Sequence, residues 1–226
     1  MRILIIGLLA LQLCTWSAEA VAGEAPRARQ APVVDGTPDD VAWNQGDWVE
    51  LQYSIIGTNP TSEDFSGRYK VVWTPEFLYV LAEITDDVLV DSTANPLKSY
   101  WNDDTLEFFV DEDASGGDHH KNDNAYAYHV ALDNQVVDIG PDGAPALYPT
   151  HVVAAWKRDL AHPHRVYWEA RIAVYGEGAD TARKLTENET LGFMLAYCDA
   201  DTANGRDHFF GDVEIDPVNG DRNRGY

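Results

Sequence analysis

Apolar and polar residues are arranged in short runs rich in β-branched and aromatic side chains, each bounded by Gly, Pro, Asn or Asp, which is typical of β-strands. Between Val166 and Val174, every second residue is apolar. The pattern predicts at least seven short strands, at residues 69–73, 77–84, 105–110, 126–132, 152–156, 165–174 and 191–197. A Pro-containing turn at 73–77 joins the first two strands as an antiparallel hairpin. The sequence therefore predicts an all-β fold, an antiparallel β-sandwich of the jelly-roll or immunoglobulin-like type.

The N-terminal part of the chain divides into a leader, a linker and the start of one domain. Residues 1–22 combine a positive start, an apolar run and small residues at the end, which is typical of a secretory signal peptide. Residues 23–32 are small and aperiodic and predict a linker, and residues 33–226 form the single domain. At its start, Thr37 followed by Pro38 predicts a short helix capped by Thr37. We expect a secreted or periplasmic protein without a membrane span.

Charge restricts the classes of partner. The chain has 38 acidic and 16 basic residues, a formal net charge of −22 and a pI near 4.4. Such a protein repels phosphate groups, so neither nucleic acid nor an anionic membrane is an expected partner. Carboxylates can instead hold divalent cations, which offset their mutual repulsion.

The densest polar stretch follows the predicted strand 105–110. Asp111, Asp113 and Ser115 place oxygen ligands at alternate positions before Gly116. This arrangement resembles half of a calcium-binding loop, and a solvated hairpin loop is the alternative interpretation.

A tryptophan in a polar setting is the second candidate feature. Trp101 precedes Asn102, Asp103 and Asp104, so its indole is expected at the surface. An exposed indole offers a flat apolar face to a pyranose ring, while nearby polar groups can bind its hydroxyls. A half-buried structural anchor is the alternative.

Two further classes of function stay open at this point. Glu107 and Glu169 lie on the polar side of predicted strands and could act as a glycoside hydrolase pair. Met194 and His129 could ligate haem in an electron-transfer β-sandwich, although Met194 lies in an apolar strand. The sequence has no signature of a serine hydrolase, a zinc hydrolase or a phosphate loop.

Three blocks, in order, resemble a family 9 carbohydrate-binding module. They are Val34-Asp35-Gly36 with Trp43, residues 73–86 and residues 101–111. The resemblance runs from about residue 32 to the C-terminus. It implies a calcium-containing β-sandwich, often attached to xylanases, that binds sugar without catalysis. We therefore expect a secreted non-catalytic module that holds neutral polysaccharide, such as cellulose or xylan, near glycoside hydrolases.

The resemblance also implies site residues. Trp101 matches one of two aromatic platforms, Glu107 an acceptor of sugar hydroxyls, and His129 the position of an arginine donor. Tyr226 matches the second aromatic. Family members continue into a final strand beyond that point, so either the sequence is a fragment or a flexible terminus supplies the second aromatic. The implied ligands of a structural calcium ion are Asp111, Asp113 and Asp123.

Overall fold

Two antiparallel sheets contain all the strands of the computed structural model, which describes residues 23–115, 119, 124–176 and 178–214. The first sheet has the order β1 (Val49–Glu50), β3 (Phe65–Trp73), β4 (Leu78–Asp86), β10 (Arg165–Ile172) and β9 (Val152–Arg158). The second has the order β2 (Tyr53–Ile56), β12 (His208–Gly211), β11 (Gly192–Asp199), β5 (Thr105–Asp111), β6 (Ala125–Ala131), β7 (Val136–Ile139) and β8 (Pro145–Leu147). The predicted all-β sandwich is confirmed.

The predicted strands correspond to β3, β4, β5, β6, β9, β10 and β11, each within a few residues of its observed bounds. The hairpin at 73–77 is also confirmed, since Trp73 pairs with Leu78 across β3 and β4. The five strands that the pattern missed, β1, β2, β7, β8 and β12, have two to four residues each. Such segments are too short to show a period of two.

The helix at the start of the domain differs from the prediction. A single 3₁₀ turn spans Val41–Asn44 and its N-cap residue is Asp40, so the predicted cap at Thr37 is wrong. The hydroxyl of Thr37 accepts a hydrogen bond from Lys157 Nζ at 2.7 Å and does not cap the helix. The described residues contain no helix long and apolar enough to cross a membrane.

Part of the predicted linker packs on the sandwich. Ala28 N donates to the carbonyl of Trp73 at 2.8 Å, and Trp73 N donates to that of Pro26 at 3.1 Å. Ala28 is buried in a small cluster with Trp43 and Tyr79. Residues 26–28 are therefore an ordered part of the domain and not a free tether.

The main core lies between the sheets. Leu106 and Phe108 of β5 face Val166 and Trp168 of β10, and all four are buried. Because side chains alternate across a strand, the residues between them point outward on opposite sides of the sandwich. Glu107 therefore lies on the outer face of the second sheet and Glu169 on that of the first.

Candidate functional site

A buried ionic group occupies the outer face of the second sheet. Glu107 is directly opposite His129 in the β5–β6 ladder, and its Oε1 atom is 3.0 Å from His129 Nε2. Cys198 of β11 donates from Sγ to the same oxygen at 2.9 Å, and Arg206 Nη1 lies 3.9 Å from it. Two residues of this group, Cys198 and Arg206, were missed at the sequence level because they lie about ninety residues downstream.

The environment keeps this group ionised. Burial alone would raise the pKa of Glu107, but His129 and Arg206 outweigh it and hold that pKa below its ordinary value. Burial likewise opposes the charged form of His129, yet Glu107 raises the pKa of the imidazole above its ordinary value. A buried carboxylate thus has its charge compensated within the protein.

We expect this pair to give stability a defined pH window. The pKa of His129 is raised above 6.5, so its contribution is complete below pH 6.5 and is lost as pH rises through the raised value. The pKa of Glu107 is lowered below 4.5, so its contribution is complete above pH 4.5 and is lost as pH falls through the lowered value. Thermal melting over this range should show the largest gap between wild type and His129→Gln between pH 4.5 and 6.5. A difference in melting temperature between wild type and His129→Gln that does not change with pH would contradict this coupling.

An aromatic path leads from this group to the surface. Tyr100 is buried, and its ring lies edge-on to His129 with centroids 4.7 Å apart. Trp101 also packs edge-on to the Tyr100 ring, with centroids 4.9 Å apart, and is 40% exposed. The structure therefore brings Trp101, Glu107 and His129 into one corner, with the indole outermost.

Hydrogen bonds hold the loop that carries Trp101. Asp103 accepts hydrogen bonds from Ser92 Oγ at 2.7 Å and from Thr93 N at 2.7 Å. Gly205, at φ +117°, lies against this loop, and a Cβ there would be 3.3 Å from the side chain of Asn102. The loop that carries Trp101 is thus held to residues 92 and 93 in the absence of a ligand.

The predicted calcium loop is folded by its own side chains. Asp111 is buried and accepts from Asp113 N at 3.3 Å. Asp113 accepts from Ser115 N at 3.0 Å and from Asn124 Nδ2 at 2.9 Å. In these turns, aspartate side chains accept hydrogen bonds from residues that follow them, as in a hairpin loop. The other predicted residues of the two sites, Asp123 and Tyr226, lie outside the described residues.

A second acidic group was missed because its members are distant in sequence. Carboxylate oxygens of Asp86, Asp104 and Asp199 lie within 4.8 Å of one another, and all three residues are buried. Tyr197 donates to Asp86 at 2.8 Å, and His208 Nδ1 lies 2.9 Å from Asp199. Burial raises the pKa of each of the three carboxyl groups, and the charges of neighbouring aspartates raise it further. Oxygen donors so arranged suit a hard cation such as Ca²⁺.

The glycosidase pair is excluded by the fold. Glu169 accepts from Asp35 N at 3.0 Å, from Gly36 N at 2.9 Å and from Trp43 Nε1 at 2.8 Å. The block of Val34-Asp35-Gly36 with Trp43 is thereby explained as a structural anchor. Glu107 is on the opposite outer face, with the core between them, so the two carboxylates cannot flank one glycosidic bond.

The structure does not support Met194 and His129 as a pair of haem ligands. Met194 is buried in an apolar cluster with Phe109 and Ala127 on the second sheet. Both ring nitrogens of His129 have partners, Nε2 with Glu107 at 3.0 Å and Nδ1 with the carbonyl of Ala127 at 2.8 Å. Neither side chain offers an open coordination position.

Comparison with known proteins assigns the fold to a family. The family model described as carbohydrate family 9 binding domain-like matches residues 34–223, and the chain belongs to this family. Endo-1,4-beta-xylanase A of Thermotoga maritima is 31% identical over 121 residues, which are 54% of this chain and 11% of that protein. Exoglucanase XynX of Acetivibrio thermocellus is 33% identical over 104 residues, 46% of this chain and 9% of that protein. The matched stretches thus span about a tenth of these relatives.

Solved structures agree on the fold. A family 9 carbohydrate-binding module of Caldicellulosiruptor kristjanssonii in complex with glucose has a TM-score of 0.63, 23% identity and coverage of 83% of each chain. The same organism's module in complex with cellotriose has a TM-score of 0.59 and 23% identity, covering 83% of this chain and 82% of that one. The matched regions are binding modules and not catalytic domains, so this chain is a non-catalytic carbohydrate-binding module.

Proposed function

We propose that the protein is a secreted module that holds neutral polysaccharide of the cellulose or xylan type near glycoside hydrolases. The observation that carries the proposal is the exposed indole of Trp101 beside the buried Glu107–His129 pair. Related sequences occur within xylanases, and structures of the same fold contain glucose or cellotriose, which supports a glucan or xylan ligand.

In this proposal, Trp101 supplies the stacking surface and the polar groups behind it select the sugar. Glu107 accepts hydrogen bonds from sugar hydroxyls, and His129 takes the position that the family resemblance gives to an arginine donor. Arg206 adds a second donor, and its side chain is 13% exposed at this corner. Tyr226 stays the proposed second aromatic. The net charge of −22 disfavours acidic polysaccharides.

Titration calorimetry with glucose, cellobiose, cellotriose and xylobiose tests the proposal. One stacked ring and a few hydrogen bonds should give dissociation constants from about micromolar to millimolar, or binding free energies of about −4 to −8 kcal/mol. Absence of heat with every sugar, from protein that melts cooperatively, would contradict it. Neither wild type nor Glu107→Gln should release reducing sugar from xylan or cellulose.

We further propose that calcium stabilises the domain. The loop at Asp111 and Asp113 supplies two carboxylates among the described residues. Asp86, Asp104 and Asp199 supply three buried carboxylates within 4.8 Å, a fuller set of hard oxygen donors. The family resemblance implies calcium, and the donor chemistry favours this buried group as its place. A bound cation there would neutralise charge and join the ends of β4 and β11 to the start of β5.

Secretion is the remaining part of the proposal. Residues 1–22, which lie outside the described residues, carry the features of a signal peptide. An extracytoplasmic location would bring the module to polysaccharide. Mass determination of the protein from culture medium or periplasm should show cleavage near residue 22.

A further inference from the structure

A thiol joins two charged groups that come from remote parts of the chain. Cys198 Sγ donates a hydrogen bond to Oε1 of Glu107 at 2.9 Å and accepts one from Nη1 of Arg206 at 3.0 Å. A thiol can do both at once, because it has one S–H donor and a sulfur atom that is a weak acceptor. Glu107 and Arg206 therefore meet through sulfur, and Nη1 itself lies 3.9 Å from Oε1.

The second sheet fixes the place of this thiol. Cys198 is fully buried and lies opposite Phe209 in the β11–β12 ladder. Its neighbour Tyr197 points into the core, so Cys198 points to the outer face, as Glu107 does. The guanidinium of Arg206 stacks on the Phe209 ring, 4.7 Å from the ring centroid. Two contacts, with the sulfur and with the ring, thus hold the guanidinium.

Contact through sulfur leaves binding capacity on both charged groups. A direct fork between an arginine and a carboxylate uses both carboxylate oxygens and two N–H groups. In Glu107, the Oε1 atom alone receives the polar contacts of His129, Cys198 and Arg206. Its Oε2 atom has no hydrogen-bond partner in the part of the chain that the structure describes. That oxygen is therefore left to accept a hydrogen bond from a ligand.

We propose that Cys198 is a positioning residue of the sugar site, which holds Glu107 and Arg206 apart so that one accepts from the ligand and the other donates to it. This inference rests on the proposed function. The ligand class is a neutral pyranose with adjacent hydroxyls, since each hydroxyl can both donate and accept. Without the thiol, the carboxylate and the guanidinium are free to form a direct fork, which would occupy the atoms that bind sugar.

Cys198→Ala is the decisive variant, and Cys198→Ser, which keeps one donor and one acceptor, is the matched rescue. Titration calorimetry should show about 5- to 10-fold weaker binding of glucose and of cellotriose in the alanine variant, the loss of one hydrogen bond. The serine variant should lose at most about 3-fold. Every titration contains calcium, so that the acidic group at Asp199, next to Cys198, is compared in one state.

A core variant controls for effects on stability. Ile172→Val shortens a fully buried side chain of the first sheet, so it should lower the melting temperature and bind both sugars as wild type does. A loss of affinity in Ile172→Val that matches the loss in Cys198→Ala would overturn the proposal, because reduced stability alone would then explain both.

A double-variant cycle separates positioning from general support of the fold. Arg206→Gln should itself weaken binding of both sugars by about 10-fold, since it removes a charged donor. If the thiol acts through the guanidinium, Cys198→Ala added to Arg206→Gln should weaken binding by less than about 2-fold more. A loss in the double variant equal to the product of the two single losses would overturn the proposal.

The remaining outcomes separate the positioning role from the proposed function. Unchanged cellotriose affinity in Cys198→Ala, with binding lost in Trp101→Ala, would overturn the role and leave the function intact. A serine variant as weak as the alanine variant would also overturn it, since the hydrogen bonds would then not matter. Wild type that binds no sugar would overturn both. If Cys198→Ala does not fold, Cys198→Val, which fills the space of the thiol, decides: weaker binding supports the role, and unchanged binding overturns it.

Discussion

Trp101→Ala is expected to weaken glucose and cellotriose binding by about 30-fold or more, below detection for the weaker sugars. The indole is the exposed end of the aromatic path from His129 through Tyr100 and offers the flat face on which a pyranose ring can stack. Truncation to alanine removes this stacking surface, so the polar groups behind it no longer meet a sugar ring held in place. Titration calorimetry with both sugars measures the loss.

The stability of Trp101→Ala should change little. The residue is 40% exposed, and its ring contact is with Tyr100, worth about 0.5–1.5 kcal/mol. Trp48→Ala is a matched control, because the Trp48 ring is also partly exposed but lies under Arg68 and Lys70, beside the first sheet. It should bind sugar as wild type does. Equal affinity in Trp101→Ala and wild type would show that the platform is elsewhere.

Chelation of calcium is expected to lower the melting temperature by roughly 5–10 °C. A ligand at 100 times its dissociation constant stabilises a fold by about 2.7 kcal/mol, and a domain of this size shifts by about 2–4 °C per kcal/mol. The physical reason is the buried group Asp86, Asp104 and Asp199, which repel one another when no cation is bound. Scanning calorimetry with calcium, and again after chelation, measures the shift.

Two variants identify the calcium site. Asp199→Asn removes one carboxylate from the buried group, so it should shrink the response to calcium and raise the stability of the metal-free protein. Asp113→Asn, in the predicted loop, should keep the full response. The reverse pattern would place calcium at the loop of Asp111 and Asp113. A wild-type melting temperature that does not respond to chelation would refute structural calcium.

The sequence by itself determined the fold class and the long strands. In β10, eight residues are enough to display the alternation that one buried face imposes, and β4 shows as a run of apolar and aromatic residues buried on both faces. Thr37 was misjudged as a cap because its hydroxyl is taken by Lys157, a residue 120 positions away. The short strands β7 and β12 carry too few residues for a pattern and form because longer neighbours offer them a hydrogen-bonding edge.

The candidate site also combines residues that the sequence predicts with residues that only the structure shows. Trp101 was predicted from its polar setting, and Glu107 and His129 from the family resemblance; the β5–β6 ladder places the last two side by side. Only the tertiary structure decided that Cys198 and Arg206 join them, and that Glu169 is an anchor on the opposite face. It also decided that Asp86, Asp104 and Asp199, which are distant in sequence, lie close together. A period of two is a property of neighbouring residues and can be read along a chain, whereas these contacts exist only after the sheets have packed and brought remote strand ends together.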